Sequence, residues 1–225
     1  MQPLVITAHL MSGFASSDPW SPAIDGVLAY RHMMDMLGPD EFAINCARRD
    51  LQQPVTGLPL AVETWGDWWW YQCSAPIYKT HAVHIHHLHR RFDAAQAEQW
   101  WGSGTKSGKV LVAAGPYKNA RKPLMQHITP MVQWAAVGER TEIERLPSRV
   151  THVGARVGSG FGRVRRWDVT DCDNPDLARW HRPLPTDHEM AAQLDGPRMY
   201  WGVRPPGRHP ENITECAMPM HSESL

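Results

Sequence analysis

Apolar and polar positions change period several times along this chain. Leu4 to Met11 reads Leu-Val-Ile-Thr-Ala-His-Leu-Met, short, apolar and β-branched, which predicts a buried first strand. A loop rich in Ser, Gly and Pro follows from Ser12 to Pro22. From Asp25 to Leu37 the spacing predicts a helix. Ile24, Val27, Leu28, Met34 and Leu37 share one face, and Gly38-Pro39 marks the stop. Met33, Met34 and Met36 read as core packing more than as an adaptable surface. Arg48 to Pro59 is polar and proline-punctuated, a connection.

Leu60 to Tyr78 carries Trp65, Trp68, Trp69, Trp70 and Tyr71. Such rings can stack on bases at roughly 1–3 kcal/mol each. The plainer expectation is a strand with aromatics on the core face and at a subunit contact. His81 to Arg91 has strand alternation, with His84, His86 and Leu88 against Val83, Ile85 and His87. Three roles compete there: a metal pair at His84 and His86, histidine acid–base chemistry, and a strand face meeting phosphates with help from Arg90 and Arg91. Ala94 to Trp101 predicts a helical turn or two, Gly102 to Lys109 a flexible basic turn, and Val110 to Ala114 a strand. The turn lacks P-loop spacing, since Gly108-Lys109 precedes Val110. A basic loop, Gly115 to Leu124, and an apolar run, Met131 to Ala136, complete a hairpin or thumb whose tip holds Lys118, Arg121 and Lys122. Thr141 with Glu144 forms a capping box before a helix through Ile143, Leu146, Val150 and Val153, with Pro147 predicting a kink or late start. Beyond Val169 the proline spacing predicts irregular structure.

Composition changes this picture little, and charge distribution changes it more. The 225 residues suit one large domain or a domain with an appendage, and Lys plus Arg balance Asp plus Glu at 23 each. Any polyanion surface must therefore come from local segregation. Basic residues outnumber acids from Lys79 to Lys122, and Arg149 to Arg166 contains no acid. Cys46, Cys73, Cys172 and Cys216 form no C-x-x-C pair, so a structural zinc site is not expected; they read as reduced thiols, with disulfides kept open by the even count. No secretory leader or bilayer-length apolar run is evident, which predicts a soluble cytoplasmic protein.

The most unusual stretch is Val153 to Val169. Gly154, Gly158, Gly160 and Gly162 fall within nine residues, with Arg156, Arg163, Arg165 and Arg166 among or just after them. Free N–H groups of such a loop can form an anion-binding concavity, and arginines add bidentate phosphate recognition. The order is helix, glycine loop, strand, which excludes a Rossmann dinucleotide site. A glycine-rich turn with solvated arginines remains the bland alternative.

Three segments together resemble the RAMP superfamily of CRISPR-associated proteins. They are Pro22-Ala23-Ile24-Asp25-Gly26-Val27-Leu28-Ala29-Tyr30 after the first strand, Gly115-Pro116-Tyr117-Lys118 with its basic loop, and the late Gly-Phe-Gly-Arg-Val loop at Gly160 to Val164. The pattern looks most like the Cas-five-type subunit of type IV complexes. The resemblance implies an α+β fold: a ferredoxin-like (RRM-like) RAMP core over residues 1–170, a thumb-like insertion at about 79–135, and an irregular C-terminal extension at 171–225. It implies a non-catalytic subunit, without cofactor or bound metal, that binds the 5′ handle of the crRNA at the foot of a multisubunit complex. Its partners would be a backbone RAMP subunit, a large subunit and, through the complex, the target nucleic acid, with no membrane. The implied RNA contacts are Gly154, Arg156, Gly158, Ser159, Gly160, Phe161, Gly162, Arg163 and Arg165 in the loop, Tyr117, Lys118, Arg121 and Lys122 in the thumb, and Arg90, Arg91, His84 and His86 on the histidine strand. Two other classes are kept open. One is a metal-independent endoribonuclease maturing CRISPR RNA with His84, His86 or His87, and the other is a histidine-rich metal-binding protein.

Overall fold

The N-terminal apolar run forms the central strand of the main sheet. A computed structural model describes residues 1–48, 52–93, 113 and 117–224. The expected elements at 94–101 and 102–109, most of that at 110–114, and residues 115–116 lie outside the described residues. Strand β1 (Gln2–Leu10) pairs antiparallel with β7 (Met131–Gly138) on one side and β8 (Val164–Asp171) on the other. Ile6 stands opposite both Trp134 and Val169. Because side chains alternate across a strand, Leu4, Ile6 and Ala8 point to one face, where they are fully buried. They pack with Val132, Trp134, Ala136, Trp167 and Val169, under α1 (Ile24–Ala47) and α2 (Arg140–Ser148). The Trp134 and Trp167 rings stack with centroids 6.0 Å apart. Their indole N–H groups donate to Pro22 O and Val150 O, both at 2.9 Å, so neither buried polar atom goes unsatisfied.

Gly38, with φ +75, does interrupt α1, but the chain re-enters a helix after it. Proline is tolerated in a first turn, whose N–H groups lack intrahelical acceptors anyway, so Pro39 starts a second segment. The cap of α2 is also displaced from its expected place. Glu139, not Thr141, accepts from the N–H groups of Thr141 and Glu142, at 3.2 and 2.9 Å. Pro147 lies in the last turn, and the helix ends at Ser148, before Val150 and Val153.

A second sheet has the order β2-β6-β5, from β2 (Phe14–Ala15), β5 (Ala82–Arg90) and β6 (Ala120–Ile128). Strands β5 and β6 pair over nine residues, from Ala82↔Ile128 to Arg90↔Ala120, as an exposed ribbon. The tryptophan stretch forms a hairpin, β3 (Val62–Trp65) and β4 (Trp68–Tyr71). Leu60, Cys73 and Ile77 bridge to Gly138, Ala136 and Gln133, filling the free edge of β7 without a regular strand.

The chain beyond Asp171, expected to be irregular, carries a short helix α3 (Leu177–Trp180) and a third sheet. Its order is β9-β11-β10, from β9 (Leu184–Pro185), β10 (Arg198–Gly202) and β11 (Ile213–Ala217). This extension packs over the tryptophan hairpin, and Trp70 and Tyr71 are buried, as expected of aromatics on the core face of a strand and not of an open base-stacking platform. Trp70 is fully buried beneath Arg182, whose guanidinium carbon lies 5.6 Å from the ring centroid, and beside His188. Arg204 lies over Trp68 and Trp69 at 5.6 and 4.9 Å. The rings serve an intramolecular contact. The Cys73 and Cys216 thiols are buried and pushed up to about 12 by that burial, so both are poor nucleophiles.

Histidines hold the end of the extension. The Nε2 of His221 sits 3.0 Å from Tyr78 O, with its ring 4.5 Å from the Tyr78 ring. Burial lowers His181 to about 4 and also lowers His127. A base with a depressed folded pKa contributes nothing against stability above its unfolded value near 6.5. Stability is then lost as pH falls from there toward 4, by roughly 3 kcal/mol for His181. The urea midpoint is expected to drop between pH 7 and pH 5, and less so in His181→Phe. Asp25, raised chiefly by burial, acts in the opposite sense and softens the slope.

Candidate nucleic-acid interface

The glycine loop is stitched to the turn after β1. Gly162 N–H donates to Gly13 O at 3.0 Å, Ala155 N–H to Ala15 O at 2.8 Å, and Val153 N–H to Gly162 O at 2.8 Å. Ser12 Oγ donates to Gly160 O at 2.9 Å and accepts from Arg163 N–H at 3.0 Å. Two of the glycines are demanded by this stitching. A Cβ on Gly162, at φ +66, would sit 1.8 Å from Val153 O; one on Gly154, at φ +87, would sit 2.7 Å from Ala15 O. Gly158 has no such constraint: its φ is not in the left-handed range, and a Cβ there meets only open space.

The exposed tip follows from Arg156, which adopts φ +58 and leads into a 3-10 turn at Val157–Ser159. Ser159 N–H and Gly160 N–H close the turn onto Arg156 O and Val157 O. The N–H groups of Arg156, Val157 and Gly158 donate to no acceptor among the described residues, and all three residues are exposed. Successive free donors of this kind form an anion-accepting nest.

Phe161 joins the loop to the ribbon. It is buried with its ring 5.2 Å from His86, edge to face. His86 Nε2 lies 2.6 Å from Gln126 Oε1, and Gln126 Nε2 donates to Gly13 O at 3.2 Å. The register puts His84, His86, Leu88, Arg90, Lys122 and Gln126 on the face shared with Phe161. Arg121 falls on the opposite face, with His87, His89 and the exposed Val83, Ile85 and Met125. Arg91 follows the end of β5. Near it Tyr117 packs edge to face on Phe92 at 5.2 Å, and Lys118 lies two residues before the start of β6. Arg163 lines a shallow pocket with Ser12, His152 and Gly160. A register shift between His9 and Leu10 displaces Arg165, which lines the cleft between α2 and β8 with Glu144 and Trp167. His84 and His86 gain no third metal-binding side chain among the described residues.

Ion pairing divides the described cations into two sets, and Lys79, Arg182, Arg198, Arg204 and Arg208, away from this surface, are also without a carboxylate partner among the described residues. Arg31, Arg140, Arg145, Arg149, Arg166 and Arg179 each meet a carboxylate. Arg90, Arg91, Lys118, Arg121, Lys122, Arg156, Arg163 and Arg165 meet none among the described residues. Their charge is left to attract an external anion.

One cluster escapes a reading of the sequence. On the face of the main sheet away from the core, His9 Nε2 lies 2.8 Å from Asp168 Oδ2, and Arg166 Nη2 donates to the same oxygen at 3.1 Å. Arg166 and Asp168 alternate along β8, which is visible in the sequence. Their meeting with His9 needs the strand register.

These features define a mixed α/β protein of small antiparallel sheets and few helices, with an unpaired basic surface spanning a glycine loop and a ribbon. Among the described residues no helix is long and apolar enough to cross a membrane. The sequence matches the family described as CRISPR type IV associated protein Csf3 over residues 2–219, and the chain belongs to that family. It is thus a CRISPR type IV component that works alongside other Cas subunits. No curated protein matches the sequence.

Proposed function

We infer that this chain is a non-catalytic crRNA-binding subunit of a type IV complex, gripping the guide near its 5′ handle. The observation that carries the reading is the unpaired basic surface: the Arg90 and Lys122 face of the ribbon runs through His86 and Phe161 onto the glycine loop. Single-stranded RNA calls for a positive track with occasional stacking faces, and a neutral chain with segregated charge supplies the first. The fold reading supported here is a ferredoxin-like RAMP core. Strand β1 leads into α1, β7 into α2 and then β8, and β1 lies between β7 and β8. The Cas-five-type assignment rests on the segments at 22–30, 115–118 and 160–164. Partners would be a backbone RAMP subunit and a large subunit, with the target nucleic acid reached through the complex.

Fluorescence anisotropy with a labelled repeat-derived RNA at low salt tests this. Arg163→Ala and Lys122→Ala are each expected to weaken binding several-fold and to reduce the dependence of log K on log salt by about one ion. Arg179→Ala, which removes a cation already paired with Glu63 at 2.8 Å, should leave binding unchanged. The RNA should emerge intact after incubation in EDTA. Absence of RNA affinity both alone and with coexpressed partners overturns the reading, and cleavage in EDTA replaces it with the endoribonuclease.

A further inference from the structure

A cavity of about 520 Å3 separates the N-terminal end of α1 from the C-terminal extension. Small-molecule sites have this size and combine apolar walls with a few convergent polar groups. Trp20, Tyr200 and Trp201 line it. Trp20 is held by its N–H bond to Pro219 O at 2.9 Å and by edge-to-face contact with Trp201 at 6.0 Å. Tyr200 is 75% exposed, an uncovered aromatic face at the opening. Asp25, only 5% exposed, lines the interior. Its Oδ1 accepts from Gly26 N–H at 2.7 Å. Arg208, also in the lining, is exposed and has no carboxylate partner among the described residues.

We propose that this cavity binds a purine nucleotide, with the base against Trp20, Trp201 and Tyr200, its donor edge at Asp25 and its phosphate at Arg208. A purine presents a large π-face and at least one ring or exocyclic N–H donor, which a carboxyl oxygen accepts. A guanidinium is the side chain best shaped for a phosphate. Residues 16–23 run from β2, which is bonded to the glycine loop, to this cavity, so the nucleotide can be free or the end of a bound RNA.

Titrating the full chain with GMP, AMP, CMP and UMP by calorimetry and tryptophan fluorescence tests the free form. Short RNAs ending in a purine or a pyrimidine test the other source. At least one purine ligand is expected to bind about tenfold more tightly than its pyrimidine counterpart. Tyr200→Ala and Arg208→Ala, both exposed, should each weaken it about tenfold. Asp25→Asn should change the preference between guanine and adenine. Binding by mononucleotides assigns a free ligand, and a Tyr200 effect on purine-ended RNA alone assigns the RNA terminus. Arg163→Ala should leave mononucleotide binding unchanged, which separates this site from the glycine loop. Equal binding of purines and pyrimidines, or no response of any ligand to Tyr200→Ala and Arg208→Ala, overturns the proposal.

Discussion

Gly162→Ala is expected to destabilise the protein by about 3–5 kcal/mol, read as a lower urea midpoint at constant slope. The added Cβ would lie 1.8 Å from Val153 O and 2.9 Å from its carbonyl carbon, both backbone atoms that no rotamer change can move. The left-handed φ of +66 adds strain for any side chain. Relief requires parting Val153 from Gly162, which breaks their 2.8 Å hydrogen bond and loosens the link from Gly162 N–H to Gly13 O. The loop would then lose its seat on β2, and RNA affinity should fall with stability. Gly158→Ala is the matched control. It meets no atom within 4 Å and no strained φ, so stability should stay within about 0.5 kcal/mol. Equal stability losses at the two glycines would show that the loop is not seated as described. The comparison divides a glycine-rich motif into residues that build the loop and a residue that only thins it.

Arg182→Ala is expected to cost a similar 3–5 kcal/mol and to release the C-terminal extension, seen as new proteolytic cuts between residues 184 and 217. Arg182 is 4% exposed. Its guanidinium donates to Tyr71 O, to Cys73 O at 3.4 Å and to Val203 O at 2.9 Å, and stacks over Trp70. Removal strands three buried carbonyls and leaves Asp25 without the positive charge that opposes its desolvation. Arg182→Lys should recover little, because an ammonium cannot reach several carbonyls in the fork of a planar guanidinium. Asp25→Asn in the Arg182→Ala background should restore part of the loss, since it removes the buried carboxyl left unopposed. No rescue, together with an unchanged proteolytic pattern, would mean that Arg182 is not the clasp of the extension.

The clasp also explains why, in a run of four tryptophans and a tyrosine, Trp70 and Tyr71 are buried and Trp68 and Trp69 are partly covered. Aromatic density alone fits a stacking platform, an interface or a core equally well. The rings of Trp68, Trp69 and Trp70 are covered by Arg204 and Arg182, which lie more than 100 residues further along the chain. Nothing local to the hairpin announces that cover. The ribbon is the opposite case. Its alternation of histidines with Val83 and Ile85 is local, and the strand and its two faces follow directly.

What the sequence by itself determined is whatever depends on neighbours a few residues away. A continuous apolar, β-branched run placed β1, period-two alternation placed β5, period 3.6 placed the start of α1, and Gly38 broke it where expected because a left-handed φ is a property of one residue. Clustering of glycine and arginine marked the loop for the same reason. Tertiary structure decided what depends on register and burial. It chose which glycines touch backbone, moved the α2 cap to Glu139, brought His9 to Asp168, turned Arg165 away on a bulge, and buried Asp25 and Arg182 in one place. Such pairings join positions as far as 159 residues apart. A one-residue slip in register would send each side chain to the other face, so no local pattern specifies them.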